Sequence, residues 1–245
     1  MTVAYDGAAY HGFAYQGPEL PTVASILRRA LRRRLGQEPE ITCAGRTDAG
    51  VHAWGQVISF DVDQSRWNRV GAERLVRSIN KEVSPSIVVR SAAEADPGFD
   101  ARHSARERRY RYTVRTAECA SPFTAATSWW VPETLDLAAM NRACQAILGE
   151  HDFSSFCRRP DADASLVRRI TGAEWLRVDV ETVRFEVRAT AFCHQMVRAL
   201  TGMLVEIGRG RRSVAAMGEA LAARDRSRAA ALAPPQGLCL WEVVY

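Results

Sequence analysis

The stretch 41-ITCAGRTDAGVHAWGQVISF-60 joins two strand-like runs through a short loop bounded by glycines. Apolar and β-branched residues predict a strand over Glu40–Ala44 and a second strand over His52–Asp61. Gly45 and Gly50 permit backbone conformations and close approaches that a side chain would prevent, so the loop is tight. Two strands linked in this way indicate a sheet, and the rest of the chain extends it.

Further periodic segments repeat the pattern in two rounds, each of which runs strand, helix, two strands, helix, strand. The predicted strands are Thr2–Tyr5, Ser86–Ser91, Arg108–Arg115, Arg169–Val180, Thr182–Thr190 and Leu238–Tyr245, and the predicted helices are 21–34, Trp67–Glu82, Leu135–Leu148, His194–Gly208 and Ser213–Ala223. Strands that do not alternate strictly with helices favour an α+β fold with a mainly antiparallel sheet. We expect two halves, residues 1–103 and 104–245, with a cleft between them.

The composition argues against several classes of protein. Hydrophobic residues make up 47% and charged residues 25%, which is typical of a globular domain. No run of about 18 apolar residues predicts a membrane span, and Met1–Gly7 has no basic patch leading into an apolar run, so we expect no signal peptide. The six cysteines form no C-x-x-C pair, which argues against a zinc site and favours reduced thiols in the cytoplasm.

The positive charge is compatible with a polyanionic partner. The net charge is +5, and Lys81 is the only lysine among 33 basic residues. The stretch 106-RERRYRY-112 interleaves arginine with tyrosine, and both side chains can stack on bases of single-stranded RNA. Arg32–Arg34 ends a predicted helix, where a charge run is typical of a solvated face.

The glycine-bounded loop has two interpretations. Asp48 alone can be explained as a turn residue that accepts a hydrogen bond from its own backbone. Arg46 stands two residues earlier, and in an extended segment this spacing places both side chains on one face. The turn interpretation explains this spacing less well, but the loop taken alone still favours a structural turn.

The loop belongs to a longer series of motifs. The string Ala44–Ala53 resembles the signature of the tRNA pseudouridine synthase A family. Further matches follow the family's order along nearly the whole chain: Tyr5–Gly7 with Tyr10 and Gly12-Phe13, Phe99–Arg102 with Ser104-Ala105 and Arg108–Tyr112, His151–Phe153 with Ser155-Phe156, Ala191–Arg198 with Gly202, and Gly237-Leu238 with Leu240. One departure follows Gly12, where the family usually has Trp-Gln and this chain has Phe13-Ala14-Tyr15-Gln16.

This resemblance implies the pseudouridine synthase fold, an α+β architecture of two ferredoxin-like or RRM-like halves joined in a mainly antiparallel sheet with a central cleft. It implies an isomerase that converts uridine to pseudouridine at positions 38, 39 and 40 in the anticodon arm of tRNA. It also implies a cytoplasmic homodimer that uses no metal and no organic cofactor.

The resemblance also implies residue roles. Asp48 is the catalytic nucleophile, and a carboxylate suits this reaction because it can act as both nucleophile and leaving group. Arg198 pairs with Asp48, and a cationic neighbour keeps an enclosed carboxylate charged. Because the target base must leave its stack, Arg46 fills the vacated place and Tyr110 stacks on the uracil. Leu240 packs under the nucleophile, and attack at ribose C1′ or at uracil C6 stays open.

Other polar residues receive lesser roles. We expect His52, His151 and His194 to be structural or to contact RNA, because the isomerisation has no evident need of an imidazole. Asp152 is interpreted as a cap or turn residue.

Three alternatives remain. A non-catalytic RNA-binding module explains the basic and aromatic residues, but it has no use for Asp48 among arginines, where a carboxylate opposes phosphate binding. A metal-dependent hydrolase requires carboxylate or histidine pairs at ligand spacing, which the sequence lacks. A synthase that acts on another RNA or another tRNA position is the third.

Overall fold

The structure is a computed structural model that describes residues 1–158 and 164–245. In chain order its strands and helices are β1 (Thr2–Tyr5), α1 (Val23–Leu35), β2 (Thr42–Cys43), β3 (His52–Ser59), α2 (Gln64–Val70), α3 (Ala72–Val83), β4 (Ile87–Ser91), β5 (Glu107–Arg115), β6 (Trp129–Trp130), α4 (Leu137–Cys144), β7 (Gly149–Asp152), β8 (Val167–Arg177), β9 (Thr182–Ala189), α5 (Met196–Gly208), α6 (Ala216–Ala223) and β10 (Leu238–Val244). The α+β class expected from the sequence is confirmed.

Contacts divide the chain into two units, one of Met1–Arg106 with Cys239–Tyr245 and the other of Glu107–Leu238. The first unit therefore ends close to residue 103, where the sequence placed the division. The closing strand β10, which the sequence assigned to the second half, groups with the first unit because it pairs in parallel with β3, with Leu240 opposite Ala53. Sequence periodicity carries no information about such a long-range pairing.

The first unit is an open sheet with helices α1 and α3 packed together. Its strand order is β4-β1-β3-β10, and β2 pairs with β3. The β1–β3, β1–β4 and β2–β3 pairs are antiparallel. The core contains the inward residues of both helices: Val23, Ala24, Leu27, Ala30, Leu31, Leu35, Leu75, Ile79 and Val83. The order strand, helix, two strands, two helices, strand matches the first predicted round except that its second helix is divided in two.

Helix α1 has strong signals at both ends. Thr22 and Ser25 form a capping box, in which each side-chain oxygen accepts the backbone N–H of the other residue, at 3.1 and 3.0 Å. Gly36 ends the helix in the left-handed region with φ of 65°. The basic run 32–34 lies in the last turn with exposed side chains, as the solvated-face interpretation predicts.

The predicted helix Trp67–Glu82 is wrong as a single helix. The structure breaks it at Gly71 into α2 and α3, because Gly71 adopts φ of 72° and ψ of 158°, which no helical residue does. The sequence pattern continued across this glycine, and its apolar spacing therefore concealed the break.

The second unit contains the strand order β5-β9-β8-β7, with β6 beside β5 in parallel. The predicted hairpin is confirmed as β8 and β9, paired antiparallel from Ile170↔Ala189 to Arg177↔Val183. Helix α5 is buried along nearly its whole length. The short strands β6 and β7 were not predicted.

No helix within residues 1–158 and 164–245 is long and apolar enough to cross a membrane.

Asn80 protects the outer edge of β4. Its side chain donates to the Val89 carbonyl at 2.9 Å and accepts from the Val89 N–H at 2.8 Å, as a neighbouring strand would. We expect Asn80→Ala to lower the free energy of unfolding by about 2 kcal/mol, because two part-buried backbone groups lose their partner. Urea unfolding measures this loss. Asn68→Ala is the matched control, since exposed Asn68 bonds only the Gln64 side chain; an equal loss in both variants would contradict the edge role.

Candidate active site

The loop between β2 and β3 carries Arg46 and Asp48. Thr47 between them is buried, whereas Arg46 is exposed and Asp48 is partly exposed. This alternation is typical of an extended segment in which residues two apart share a side. The Thr47 side chain therefore points into the core, and the side chains of Arg46 and Asp48, the residues before and after it, point outward.

Backbone hydrogen bonds fix this loop on both sides of Asp48. The Phe13 N–H donates to the Thr47 carbonyl at 3.1 Å, and the Val51 N–H donates to the Asp48 carbonyl at 3.1 Å. Gly12 has φ of 88°, and a Cβ there would lie 2.8 Å from the Thr47 oxygen. The Gly12-Phe13 pair matched by the family motif thus supports the loop that carries Arg46 and Asp48.

Buried polar side chains lie beneath the loop, and the sequence reasoning missed their role. The Tyr5 hydroxyl is 2.8 Å from Thr47 Oγ1, and Gln56 Nε2 donates to the Gly45 carbonyl at 2.7 Å. The available signal was Gln56, a polar residue at an inward position of an otherwise apolar strand. Such a residue needs a buried partner, but the sequence does not show which.

Cys43 directly precedes the loop and is the other nearby nucleophile to consider. Burial raises the pKa of its thiol to about 11, and the positive charge of Arg46 offsets only part of this shift. The thiol is therefore protonated at neutral pH and is a poor nucleophile.

The histidines have local structural partners. His52 is buried, and its Nδ1 accepts the Gly7 N–H at 3.1 Å. His151 Nε2 lies 2.8 Å from the Leu148 carbonyl, and the His194 carbonyl accepts the Arg158 N–H at 3.0 Å. The side-chain contacts of His52 and His151 agree with a structural role, whereas the contact of His194 is made by its backbone, so its role, structural or in contact with RNA, stays a prediction.

Asp152 is a turn residue, as the sequence suggested. Its Oδ1 accepts both the backbone N–H and the hydroxyl of Ser154, at 2.9 and 2.5 Å. A carboxylate that caps its own turn has a structural role already.

The tyrosines of strand β5 lie on its buried face, and most of its arginines lie on the opposite face. Tyr110 is 7% exposed and Tyr112 is fully buried, and they lie on the same face, as predicted. Tyr110 contacts Phe192 edge-on with a centroid distance of 5.0 Å. Arg109 and Arg111 lie on the opposite face because strand side chains alternate. The tyrosines and the outward arginines of 106–112 therefore lie on different faces, while Arg108 shares the face of the tyrosines.

The outward arginines of β5 are paired with carboxylates. Arg109 Nε lies 2.7 Å from Glu107, and Arg111 Nε lies 3.0 Å from Glu186. Burial would raise the pKa of Glu107, but hydrogen bonds from Thr171 and Arg109 outweigh it and the pKa is lowered. These ion pairs reduce the positive charge that this face presents to a polyanion.

Arg198 lies in the first turn of α5 and is held by an adjacent segment. Its Nε donates to the Ala233 carbonyl at 2.8 Å, and the Ala233 N–H donates to the Arg198 carbonyl at 3.1 Å. The Tyr112 hydroxyl donates to the next carbonyl, Pro234, at 2.7 Å. Burial raises the pKa of Tyr112 well above its usual value, so this hydroxyl remains a donor. The guanidinium orientation is thereby fixed through Nε.

Leu240 is fully buried in the first unit. It lies on β10 opposite Ala53. Ala53 is the second residue of β3 and follows the loop closely along the chain. Arg46, Asp48 and Leu240 belong to the first unit, and Tyr110 and Arg198 belong to the second. Within 1–158 and 164–245 no group of three or more His, Cys, Asp or Glu residues is arranged to hold a metal ion.

Comparisons with known proteins cover the whole chain. A family model described as "tRNA pseudouridine synthase" matches residues 1–104 and 143–245. The tRNA pseudouridine synthase A of Myxococcus xanthus is 41% identical over 246 residues, with 100% of this chain and 91% of the relative covered. That of Geobacillus sp. (strain WCH70) is 38% identical, with 100% and 96% covered. Among solved structures, a Cbf5-Nop10-Gar1 complex matches 97% of this chain and 47% of its own chain, with 11% identity and a TM-score of only 0.34.

Proposed function

Because this chain belongs to the tRNA pseudouridine synthase family, we propose that it isomerises uridine at positions 38, 39 and 40 of the tRNA anticodon arm, with Asp48 as the nucleophile. In this reaction the C1′–N1 bond breaks and a C1′–C5 bond forms. The proton that leaves C5 is balanced by one gained at N1, so no second substrate is needed. Membership of an isomerase family argues against both the non-catalytic RNA-binding module and the hydrolase.

The observation that carries the Asp48 assignment is the way the loop is held. Asp48 is partly exposed while backbone hydrogen bonds fix the loop before and after it. A nucleophile must be reachable by substrate and must keep a near-attack geometry, and this combination provides both. The neighbouring thiol of Cys43 is excluded by its raised pKa.

We assign substrate roles to three further side chains. Exposed Arg46 can enter the place that an extruded base vacates, because a planar guanidinium stacks and contacts phosphate at once. Tyr110 supplies an aromatic ring held in orientation by Phe192. Arg198 uses Nε for its own anchoring, and the guanidinium carries other N–H donors that can pair with the Asp48 carboxylate. Leu240 supports the loop from the core.

On the same family resemblance we propose that the protein acts in the cytoplasm as a homodimer that binds tRNA without metal or organic cofactor. The reaction balances without an oxidant, a reductant or a second substrate, which supports the absence of a cofactor.

The test is position-resolved mapping of pseudouridine in unmodified tRNA transcripts. Each of three transcripts keeps one uridine among positions 38, 39 and 40 and all its uridines elsewhere, and the reaction contains a metal chelator. We expect pseudouridine at the retained uridine in each transcript and at no other position. Modification confined to other positions would instead support the third alternative, a synthase with a different target.

A further inference from the structure

Two buried hydroxyls meet directly beneath the proposed nucleophile. Tyr5 is 5% exposed and Thr47 is 7% exposed, and their oxygens are 2.8 Å apart. Buried hydroxyls are destabilising unless they are hydrogen-bonded, and valine would fill the space of Thr47 without this requirement. The polar pair is therefore a specific feature of this core.

Gln56 connects both ends of this network. Its Nε2 donates to the Gly45 carbonyl at 2.7 Å and to the Tyr5 hydroxyl at 3.4 Å. The amide cannot be reversed, because Oε1 would then face the Gly45 carbonyl oxygen. Either hydroxyl of the Tyr5–Thr47 pair can be the donor. Gln56, Tyr5 and Thr47 thus form a buried network that joins the sheet to the loop.

Thr47 is restrained at two points immediately before Asp48. Its carbonyl accepts from Phe13 and its hydroxyl is bonded to Tyr5. The peptide plane that joins Thr47 to Asp48 therefore cannot rotate without breaking one of these bonds. The Val51 N–H holds the following carbonyl of Asp48, so the backbone from which the Asp48 side chain extends is restrained on both sides.

We propose that Tyr5 is a positioning residue for the Asp48 carboxylate and acts through the Thr47 hydroxyl. This inference rests on the proposed function, since it assumes that Asp48 is the nucleophile. A displacement of about 1 Å at a reacting group costs about 10²-fold in rate. Loss of the Tyr5–Thr47 bond lowers the rate of the chemical step while the binding of tRNA, which other surfaces provide, is retained.

The experiment measures single-turnover pseudouridine formation, tRNA affinity and thermal unfolding for the full chain. We expect Thr47→Val and Tyr5→Phe each to slow the single-turnover rate about 10- to 100-fold, with tRNA affinity within about threefold of the wild type. Thr47→Ser keeps the hydroxyl and restores most of the rate. Tyr10→Phe is the matched control, because it removes a similar hydroxyl bond, 2.7 Å long to Ser86, outside the loop; its rate stays unchanged.

A double variant separates positioning from general damage. If Tyr5 acts only through Thr47, then Tyr5→Phe combined with Thr47→Val is no slower than the slower single variant. Rate losses that multiply in the double variant overturn the proposal. So does a Thr47→Ser rate as low as that of Thr47→Val. If Thr47→Val fails to fold, a Thr47→Ser rate about 10- to 100-fold below that of the wild type overturns the proposal instead.

Failure of this inference can be told apart from failure of the proposed function. If Asp48→Asn is inactive but Thr47→Val and Tyr5→Phe react at the wild-type rate, only the positioning role is wrong. If Asp48→Asn remains fully active, the nucleophile itself is misassigned and the positioning role falls with it.

Discussion

Asp48→Asn is expected to slow pseudouridine formation by about 10⁴-fold or more, the scale seen when an enzyme loses its nucleophile. An amide has nearly the shape of a carboxylate but is a poor nucleophile and a poor leaving group. The fold should persist, because backbone bonds from Phe13 and Val51 hold the loop. Affinity for tRNA should stay the same or rise slightly, since a negative charge near phosphates is removed. Rate and affinity are measured on the same transcript.

Asp61→Asn is the matched control for this change. Asp61 is exposed just after β3, in the same unit as Asp48, and the substitution removes the same charge. We expect its rate to equal that of the wild type. A similar loss in both variants would attribute the effect to charge and not to chemistry at Asp48.

Gly202→Ala is expected to destabilise the protein by about 3 kcal/mol, at the upper end of the usual cost of overpacking. A Cβ at Gly202 would overlap the carbonyl oxygen of Ala231, which belongs to the segment beside α5. The overlap is with backbone, so no side-chain rotation relieves it. The midpoint of urea unfolding measures the loss.

The same substitution should also reduce activity. Gly202 lies one helical turn beyond Arg198, and the segment that Gly202 contacts also holds Arg198 through Ala233. Displacing Ala231 therefore disturbs the orientation of the guanidinium. Gly218→Ala in α6 is the control, because its Cβ would meet only Ala146 at 3.8 Å. The free energy of unfolding of Gly218→Ala should rise by up to about 1 kcal/mol, because alanine has a higher helix propensity than glycine. A comparable loss of stability in both variants would contradict the packing argument.

Local signals explain which parts of the fold could be predicted. Strand β1 coincides with the predicted segment, and α1 begins and ends within two residues of the predicted helix 21–34. The break at Gly71 was missed because apolar spacing continued across it. The short strands β6 and β7 have too few residues to show a period. Strand β10 groups with the first unit because it pairs with β3, from which most of the chain separates it in sequence.

The candidate site likewise contains residues that the sequence predicted and contacts that only the structure shows. Arg46 and Asp48 were recognisable because they are close in sequence and belong to a specific motif. The interleaving of arginine and tyrosine in 106–112 was visible in the sequence, and the structure shows that the tyrosines and the outward arginines of β5 face opposite ways. The Tyr5–Thr47 bond joins residues 42 positions apart, and only the packed sheet shows that they meet.

The central claim is that Asp48 performs chemistry on a uridine of the tRNA anticodon arm. Its most direct test is end-point mapping of pseudouridine in one transcript, with wild type or Asp48→Asn in excess and binding confirmed in both samples. We expect the wild type to convert the uridine completely and the bound Asp48→Asn variant to form none. Equal conversion by the two proteins, or none by the wild type, would contradict the claim.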